Sequence, residues 1–315
     1  MNRSVLIVAG PTAVGKTEYA IRLAEALNGE IVSADSMQLY RYMDIGSAKP
    51  TPEERARVKH YLVDEIHPTE PFSVAVYQKR AKKAIEEIFQ KGKLPVISGG
   101  TGLYVNSLIY DMDFAQAGRQ DGYRERLEEE ARLHGSLWLH KRLAAVDFAG
   151  AERIHPNNVK KVIRALEVAE SGGGGIPEFR KSFVKTGDYG YLLLGLDRER
   201  RELYRRIDQR VDTLMEKGLV GEVEGLLKTG LTEQNISMKG IGYKEIIGFL
   251  KEEYPLEEAV RLVKRNTRHY AKRQLTWFRR LEDMKWFTLS EDCGSEEELA
   301  EMLAYVSANL SLTEG

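Results

Sequence analysis

The chain has 315 residues, 42% of them hydrophobic and 30% charged, with a formal net charge of −1. This is the composition of an ordinary globular protein with enough chain for two domains; bulk charge gives no reason to expect a nucleic-acid partner. The single cysteine, Cys293, excludes an intrachain disulfide, no apolar run is long enough to cross a bilayer, and no signal peptide is expected, so the reading is cytoplasmic.

In chain order, the apolar run Val5-Leu6-Ile7-Val8 reads as a buried strand and Glu18 to Leu27 as a helix. Between them lies Gly10-Pro11-Thr12-Ala13-Val14-Gly15-Lys16-Thr17, which fits G-x-x-x-x-G-K-[ST]. Glycines let several backbone N–H groups face one anion, and the following helix N-terminus adds partial positive charge. Lys16 brings a full charge to a terminal phosphate and the Thr17 hydroxyl can hold Mg²⁺. The loop implies a diphosphate or triphosphate without saying which. Residues 30–35 read as a second strand, Phe72 to Lys91 as a helix, and residues 94–98 as a third strand closed by Gly99-Gly100.

From about Tyr110 to about Tyr189 the pattern becomes helical, with a loop at Gly172 to Gly175; residues 191–196 then return to a strand, with helices to the end. The expected fold is therefore α/β: a P-loop NTPase-like parallel sheet core, residues 1–110 plus 190–315, with a mainly helical insertion domain at 111–189.

Ligands of such sheets bind outside the carboxyl ends of the strands. Three loops converge there: the phosphate loop, Asp35-Ser36-Met37-Gln38, and Gly99-Gly100-Thr101-Gly102. Lys16, Thr17, Asp35 and Thr101 are thus expected along one crevice. Asp35 is the natural general base, with helix capping or Mg²⁺ support as its other reading. Thr101 reads equally as a site or turn residue. The second acid a P-loop ATPase wants has only one weak candidate, in Tyr61-Leu62-Val63-Asp64-Glu65.

Charge is unevenly placed. Arg261 to Arg280 contains eight Lys or Arg and no acid, with Tyr270, Trp277 and Phe278 interleaved; Val260, Val263, Tyr270, Trp277 and Leu281 form its core-facing stripe. Lys160-Lys161-Val162-Ile163-Arg164 and the stretch Arg198 to Arg210 are further basic clusters, which suit an extended polyanion. The six histidines show no metal-ligand spacing.

Together the motifs resemble the tRNA dimethylallyltransferases, also called tRNA isopentenyltransferases. Those carrying the resemblance are Gly10 to Thr17, Asp35 to Tyr40, Met43 to Pro50, Gly99 to Tyr104, His155 to Asn158, Arg164 to Glu167, Ile241-Gly242-Tyr243 and Lys272 to Trp277. Asn158, Ser47, Lys160 and Lys161 depart mildly from the family pattern, and the Gly172 to Gly175 run is richer in glycine than its usual turn.

The resemblance implies transfer of a dimethylallyl group from dimethylallyl diphosphate to the exocyclic N6 amine of the adenosine 3′-adjacent to the anticodon, in tRNAs reading U-initial codons, with release of diphosphate. It implies Mg²⁺ as cofactor, the tRNA anticodon stem-loop as partner, and a monomer. Catalytic roles fall on Asp35, Thr17 and Arg210, and the diphosphate on Gly10 to Thr17. Contacts to tRNA fall on Asp35, Ser36, Met37, Gln38, Thr101, Arg124, the segment Lys160, Lys161, Val162, Ile163 and Arg164, and the segment Lys239, Gly240, Ile241, Gly242, Tyr243 and Lys244. Other readings of the same residues are a P-loop nucleotide kinase, a prenyltransferase of free adenine nucleotides, and a non-enzymatic RNA-binding module.

Overall fold

The computed structural model describes residues 3–112, 122–170, 184–291 and 294–310. The glycine run at 172–175 and Cys293 lie outside the described residues. The chain forms two compact units: Met1–Tyr110 with Lys185–Gly315, and Asp111–Val184. The core resumes at Lys185 rather than at about residue 190, because Lys185 forms an isolated antiparallel bridge with Tyr110 ahead of the next strand.

The first unit is built on six parallel strands: β1 (Ser4–Ala9), β2 (Gly29–Ser33), β3 (His60–Tyr61), β4 (Leu94–Gly99), β5 (Gly190–Asp197) and β6 (Met284–Thr288), in the order β3-β2-β4-β1-β5-β6. The edge strands β3 and β6 were not expected; β3 has two residues and β6 is half-exposed, so neither leaves a continuous apolar run in the sequence. Every residue of β1 is buried. Its side chains alternate, Leu6 and Val8 entering one core and Val5, Ile7 and Ala9 the other. The helix Lys16–Ala26 covers the first face with Tyr19, Ala20, Ile21 and Leu23; the helix Val74–Gln90 covers the second with Tyr77, Ala81, Ile85 and Ile88. At about 1.5–3 kcal/mol for each fully buried large aliphatic side chain, these two layers fix the sheet, and with it the loops at its carboxyl edge.

The second unit contains the helices Tyr123–His134, Ser136–Val146, Phe148–Arg153 and Val159–Glu170, packed around Leu127, Leu139, Leu143, Val162, Ile163 and Leu166. Two expectations change here. Val162 and Ile163 stand within a segment expected to touch tRNA, yet both side chains are buried in this core. The helical period turns Lys160 and Lys161 outward, and these exposed lysines form no ion pair among the described residues. Arg124 meets Glu167 through two hydrogen bonds of 3.0 and 2.6 Å, and Arg164 pairs with the same nearly buried carboxylate. Arg124 therefore ties the helix Tyr123–His134 to the helix Val159–Glu170, and Arg164 braces the same carboxylate from one turn away on its own helix.

Candidate active site

Strand β1 runs directly into the glycine loop. Gly10 has φ 155°, and a Cβ there would lie 2.5 Å from the Leu196 carbonyl oxygen, so only glycine lets the loop pass β5 this closely. Gly15, at φ 113°, turns the chain into the helix Lys16–Ala26. Ala13 is also left-handed, at φ 64°. Three side chains hold this loop from outside: Gln274 accepts from Thr12 N at 2.9 Å, Arg198 Nε donates to Val14 O at 2.9 Å, and Arg206 Nε donates to Ala13 O at 3.1 Å. Lys16 Nζ donates to Pro11 O at 2.7 Å.

The loop opens into a cavity of about 520 Å³. Thr12, Ala13, Gly15, Lys16 and Thr17 line its floor. Asp35 and Gln38, from the loop after β2, line one wall; Arg206, Gln209 and Arg210, from the helix Arg200–Glu216, line another; Tyr270 and Gln274 enter from the helix Leu256–Phe278. The structure thus brings Lys16, Thr17, Asp35 and Arg210 together. Gly10, Pro11 and Val14 shape the loop from behind this lining.

The electrostatics of the cavity are asymmetric. Burial, reinforced by the Arg210 guanidinium, pushes the Lys16 ammonium down to about 7, against the opposing pull of Asp35. Burial also lowers Arg210, which Asp35 partly offsets and Arg206 increases. Burial and the charge of Asp35 raise the Tyr270 phenol to about 12, so it stays neutral. Lys16, Arg206 and Arg210 form no ion pairs among the described residues, whereas Lys49, also in the lining, pairs with Asp44 at 2.6 Å and with Asp64. Unpaired cations of this kind destabilise a cavity until an anion enters it.

Asp35 braces its own turn through one carboxylate oxygen. Its Oδ1 accepts from Met37 N at 2.8 Å and Gln38 N at 3.4 Å, as a turn residue would. Oδ2 makes no hydrogen bond among the described residues, which leaves one oxygen able to accept a proton. Thr101 stands at the N-cap of the helix Gly102–Ile109 without a side-chain capping bond and, contrary to expectation, outside the cavity lining; its hydroxyl accepts from Ser36 N at 3.2 Å, tying the loops after β2 and β4 together. Asp64 also finds other work: Lys49 and Arg55 take both its oxygens, and it is absent from the cavity lining.

The segment Lys239 to Lys244 packs beside the Asp35 loop, since a Cβ on Gly240 would lie 2.6 Å from Met37 Cε. Lys239 and Lys244 are exposed there. Tyr243 is a correction: it is fully buried and donates to Glu222 Oε1 at 2.8 Å, so its side chain cannot face an external partner. Glu222 also accepts from Asp44 N, Ile45 N and Gly46 N at 2.7, 2.7 and 2.9 Å. One carboxylate thereby clamps the chain just before cavity residues Ala48, Lys49 and Pro50.

Sequence reasoning missed Gln274, which is 5% exposed and bridges Thr12 N to Gly100 O, the latter at 2.9 Å. The helix carrying it buries Ala259, Val263, Ala271, Gln274 and Phe278, with Tyr270 and Trp277 only partly covered. A polar residue in phase with the buried positions was the available signal. Arg206 was legible only as part of a basic cluster; its helical phase, one turn from Arg210, separates it from Arg205, which pairs outward with Glu202 and Glu291.

A glycine-loop anion pocket with an adjacent carboxylate, at the carboxyl edge of a parallel sheet, defines a group-transferring enzyme of the P-loop class. The family model described as IPP transferase matches residues 38–281. The chain is 52% identical to the tRNA dimethylallyltransferase of Alkaliphilus oremlandii over 303 residues, 96% of each chain, and 47% identical to that of Acetivibrio thermocellus over 98% of this chain and 99% of the relative. The tRNA isopentenylpyrophosphate transferase of Bacillus halodurans superposes with a TM-score of 0.75 at 40% identity, covering 99% of this chain and 98% of the other. A eukaryotic dimethylallyltransferase acting on tRNA gives a TM-score of 0.86 at 26% identity, covering 100% of this chain and 81% of the other. The chain belongs to the IPP transferase family.

Proposed function

We propose that this enzyme transfers a dimethylallyl group from dimethylallyl diphosphate to the exocyclic N6 amine of the adenosine 3′-adjacent to the anticodon, in tRNAs reading codons that begin with U. The observation that carries this reading is the shared cavity of Lys16, Asp35 and Arg210. A pocket for leaving-group charge and a carboxylate with one free oxygen are the two groups the reaction needs.

The amine lone pair is delocalised into the purine, so the nitrogen becomes a competent nucleophile only as its proton departs. Asp35 Oδ2 accepts that proton while the nitrogen–carbon bond forms. The allylic carbon–oxygen bond breaks and its electron pair passes to the diphosphate. Lys16, Arg210 and the N–H groups of the cavity-lining loop residues Gly15, Lys16 and Thr17 stabilise the charge that grows there. Thr17, on the cavity floor, is the residue that would hold Mg²⁺. Its hydroxyl is an oxygen donor of the kind a hard cation takes. Mg²⁺ there would neutralise diphosphate charge.

The adenine must leave its stack to reach Asp35, a cost that an unpaired anticodon loop keeps small. Ser36, Met37, Gln38 and Thr101, with Lys239 and Lys244 beside them, form the tRNA-facing rim in this reading; Lys160 and Lys161 of the helical unit contact the phosphate backbone. The test is mass spectrometry of nucleosides from unmodified tRNA after incubation with dimethylallyl diphosphate and Mg²⁺. The expected product is N6-dimethylallyladenosine. Unchanged tRNA, together with phosphoryl transfer from ATP to a nucleotide, would refute the reading in favour of a kinase.

A further inference from the structure

The helix Arg200–Glu216 sends two arginines, one turn apart, into the same cavity: Arg206 and Arg210. Arg206 is not a surface charge that happens to lie nearby. Its Nε is committed to the carbonyl of Ala13 at 3.1 Å, inside the glycine loop itself. A guanidinium carries five N–H donors in a planar fork, so this anchor leaves four of them, on Nη1 and Nη2, with no partner among the described residues. The neighbouring Arg205 is occupied by Glu202 and Glu291; Arg198 lies outside the cavity lining and is occupied through Nε by Val14 O and through Nη1 by Ser290 O, its buried Nη2 alone being without a partner among the described residues. Arg206 has no such explanation. Holding a backbone carbonyl needs one neutral donor, whereas an arginine placed beside Lys16 and Arg210 adds like-charge repulsion, which also depresses Arg210.

We propose that Arg206 is a second arginine on the diphosphate, its Nε fixed to the loop and its Nη fork donating to the phosphate oxygens that gain charge as the allylic carbon–oxygen bond breaks. This rests on the functional reading above and assigns a further residue to that reaction. Arg206 supplies hydrogen bonds and charge only; it exchanges no proton. Its anchor makes it the pre-organised member of the pair, because the residue that shapes the anion pocket also orients the guanidinium. Arg210, without a hydrogen bond among the described residues, is the arm that adjusts. Lys16, Arg206 and Arg210 then surround a two-phosphate chain, a better match in charge and length than any single phosphate.

The test measures inorganic pyrophosphate binding by titration calorimetry, with Mg²⁺, and the single-turnover rate of dimethylallyl transfer, for the intact enzyme, Arg206→Ala, Arg206→Lys and Arg205→Ala. Arg206→Ala is expected to weaken pyrophosphate binding about 10- to 100-fold and to slow single turnover at least as much, with tRNA affinity unchanged. Methylguanidinium in solution is expected to restore part of the Arg206→Ala rate, which a residue needed only to hold the loop would not show. Arg206→Lys should recover some pyrophosphate affinity but little rate, and Arg205→Ala should match the intact enzyme. Pyrophosphate affinity and turnover of Arg206→Ala within about twofold of the intact enzyme, or a rate loss that methylguanidinium leaves untouched, would overturn the assignment. Failure of the intact enzyme to bind pyrophosphate would instead sink the underlying functional reading, so the two failures are distinct.

Discussion

Gln274 offers the sharpest perturbation, because one buried amide joins two loops of the site. Gln274→Leu keeps the volume and removes both hydrogen bonds, to Thr12 N and to Gly100 O. Two such bonds contribute about 0.5–1 kcal/mol each in net terms, and leaving the buried Gly100 carbonyl without a donor adds about 1–2 kcal/mol, for a loss of about 2–4 kcal/mol. In a chain of this size a kcal/mol corresponds to about 2 °C, so Tm should fall by about 4–8 °C. The functional consequence is selective. Thr12 belongs to the anion loop, and Gly100 precedes Thr101, which positions Ser36. The KM values for diphosphate substrate and tRNA should therefore both rise. Gly100→Ala tests the same contact from the other side: its Cβ would lie 2.1 Å from Gln274 Nε2. It should cost clearly less in a Gln274→Ala background than alone, since the contact is then already gone. Scanning calorimetry and steady-state kinetics give the readouts. A Gln274→Leu enzyme with unchanged Tm and both KM values intact would refute the reasoning.

Three other outcomes are expected. Burial and Arg210 hold the free Lys16 near 7, and a bound diphosphate favours its charged form, so binding takes up a proton above that pH. Relative to Lys16→Met, in which the titration of pyrophosphate itself cancels, affinity should fall by up to about tenfold per unit above pH 7; calorimetry at pH 8 in two buffers of different ionisation enthalpy should show more proton uptake for the intact enzyme than for Lys16→Met. Replacing Lys160 and Lys161 together by alanine should reduce the salt slope of tRNA binding by about two, as measured by filter binding, whereas Arg124→Ala should lower stability more than affinity because Arg124 is committed to Glu167. Glu222→Ala strands three backbone donors and the Tyr243 hydroxyl, and chemical denaturation should register a loss of about 3–5 kcal/mol.

What could be read from the sequence was what is local. The glycine loop, Asp35 and Thr101 are each fixed by a short motif at a strand end, and a parallel sheet gathers strand ends along one edge whatever the remaining chain does. The edge strands β3 and β6 were not legible, because a two-residue pairing and a half-exposed strand derive their hydrogen bonds from neighbours, not from their own apolar pattern. Gln274 showed only as a polar residue in phase with buried positions; its role was not legible because its partners lie 262 and 174 residues away. Motif segments also carried more residues than the chemistry uses. Helical phase turns Val162 and Ile163 into a core, and Tyr243 turns inward to Glu222, while Lys160, Lys161, Lys239 and Lys244 stay outside.

The measurement closest to the centre of this account is single-turnover dimethylallyl transfer by Asp35→Asn, with tRNA and pyrophosphate affinities determined on the same preparation. Asparagine retains an oxygen for Met37 N and Gln38 N, so the loop should persist and both affinities should stay within about threefold of the intact enzyme. The rate should fall by about 10²- to 10⁴-fold, since no carboxylate remains to take the amine proton. A rate near that of the intact enzyme would contradict the account, for the carboxylate beside the anion pocket would then have no part in the chemistry.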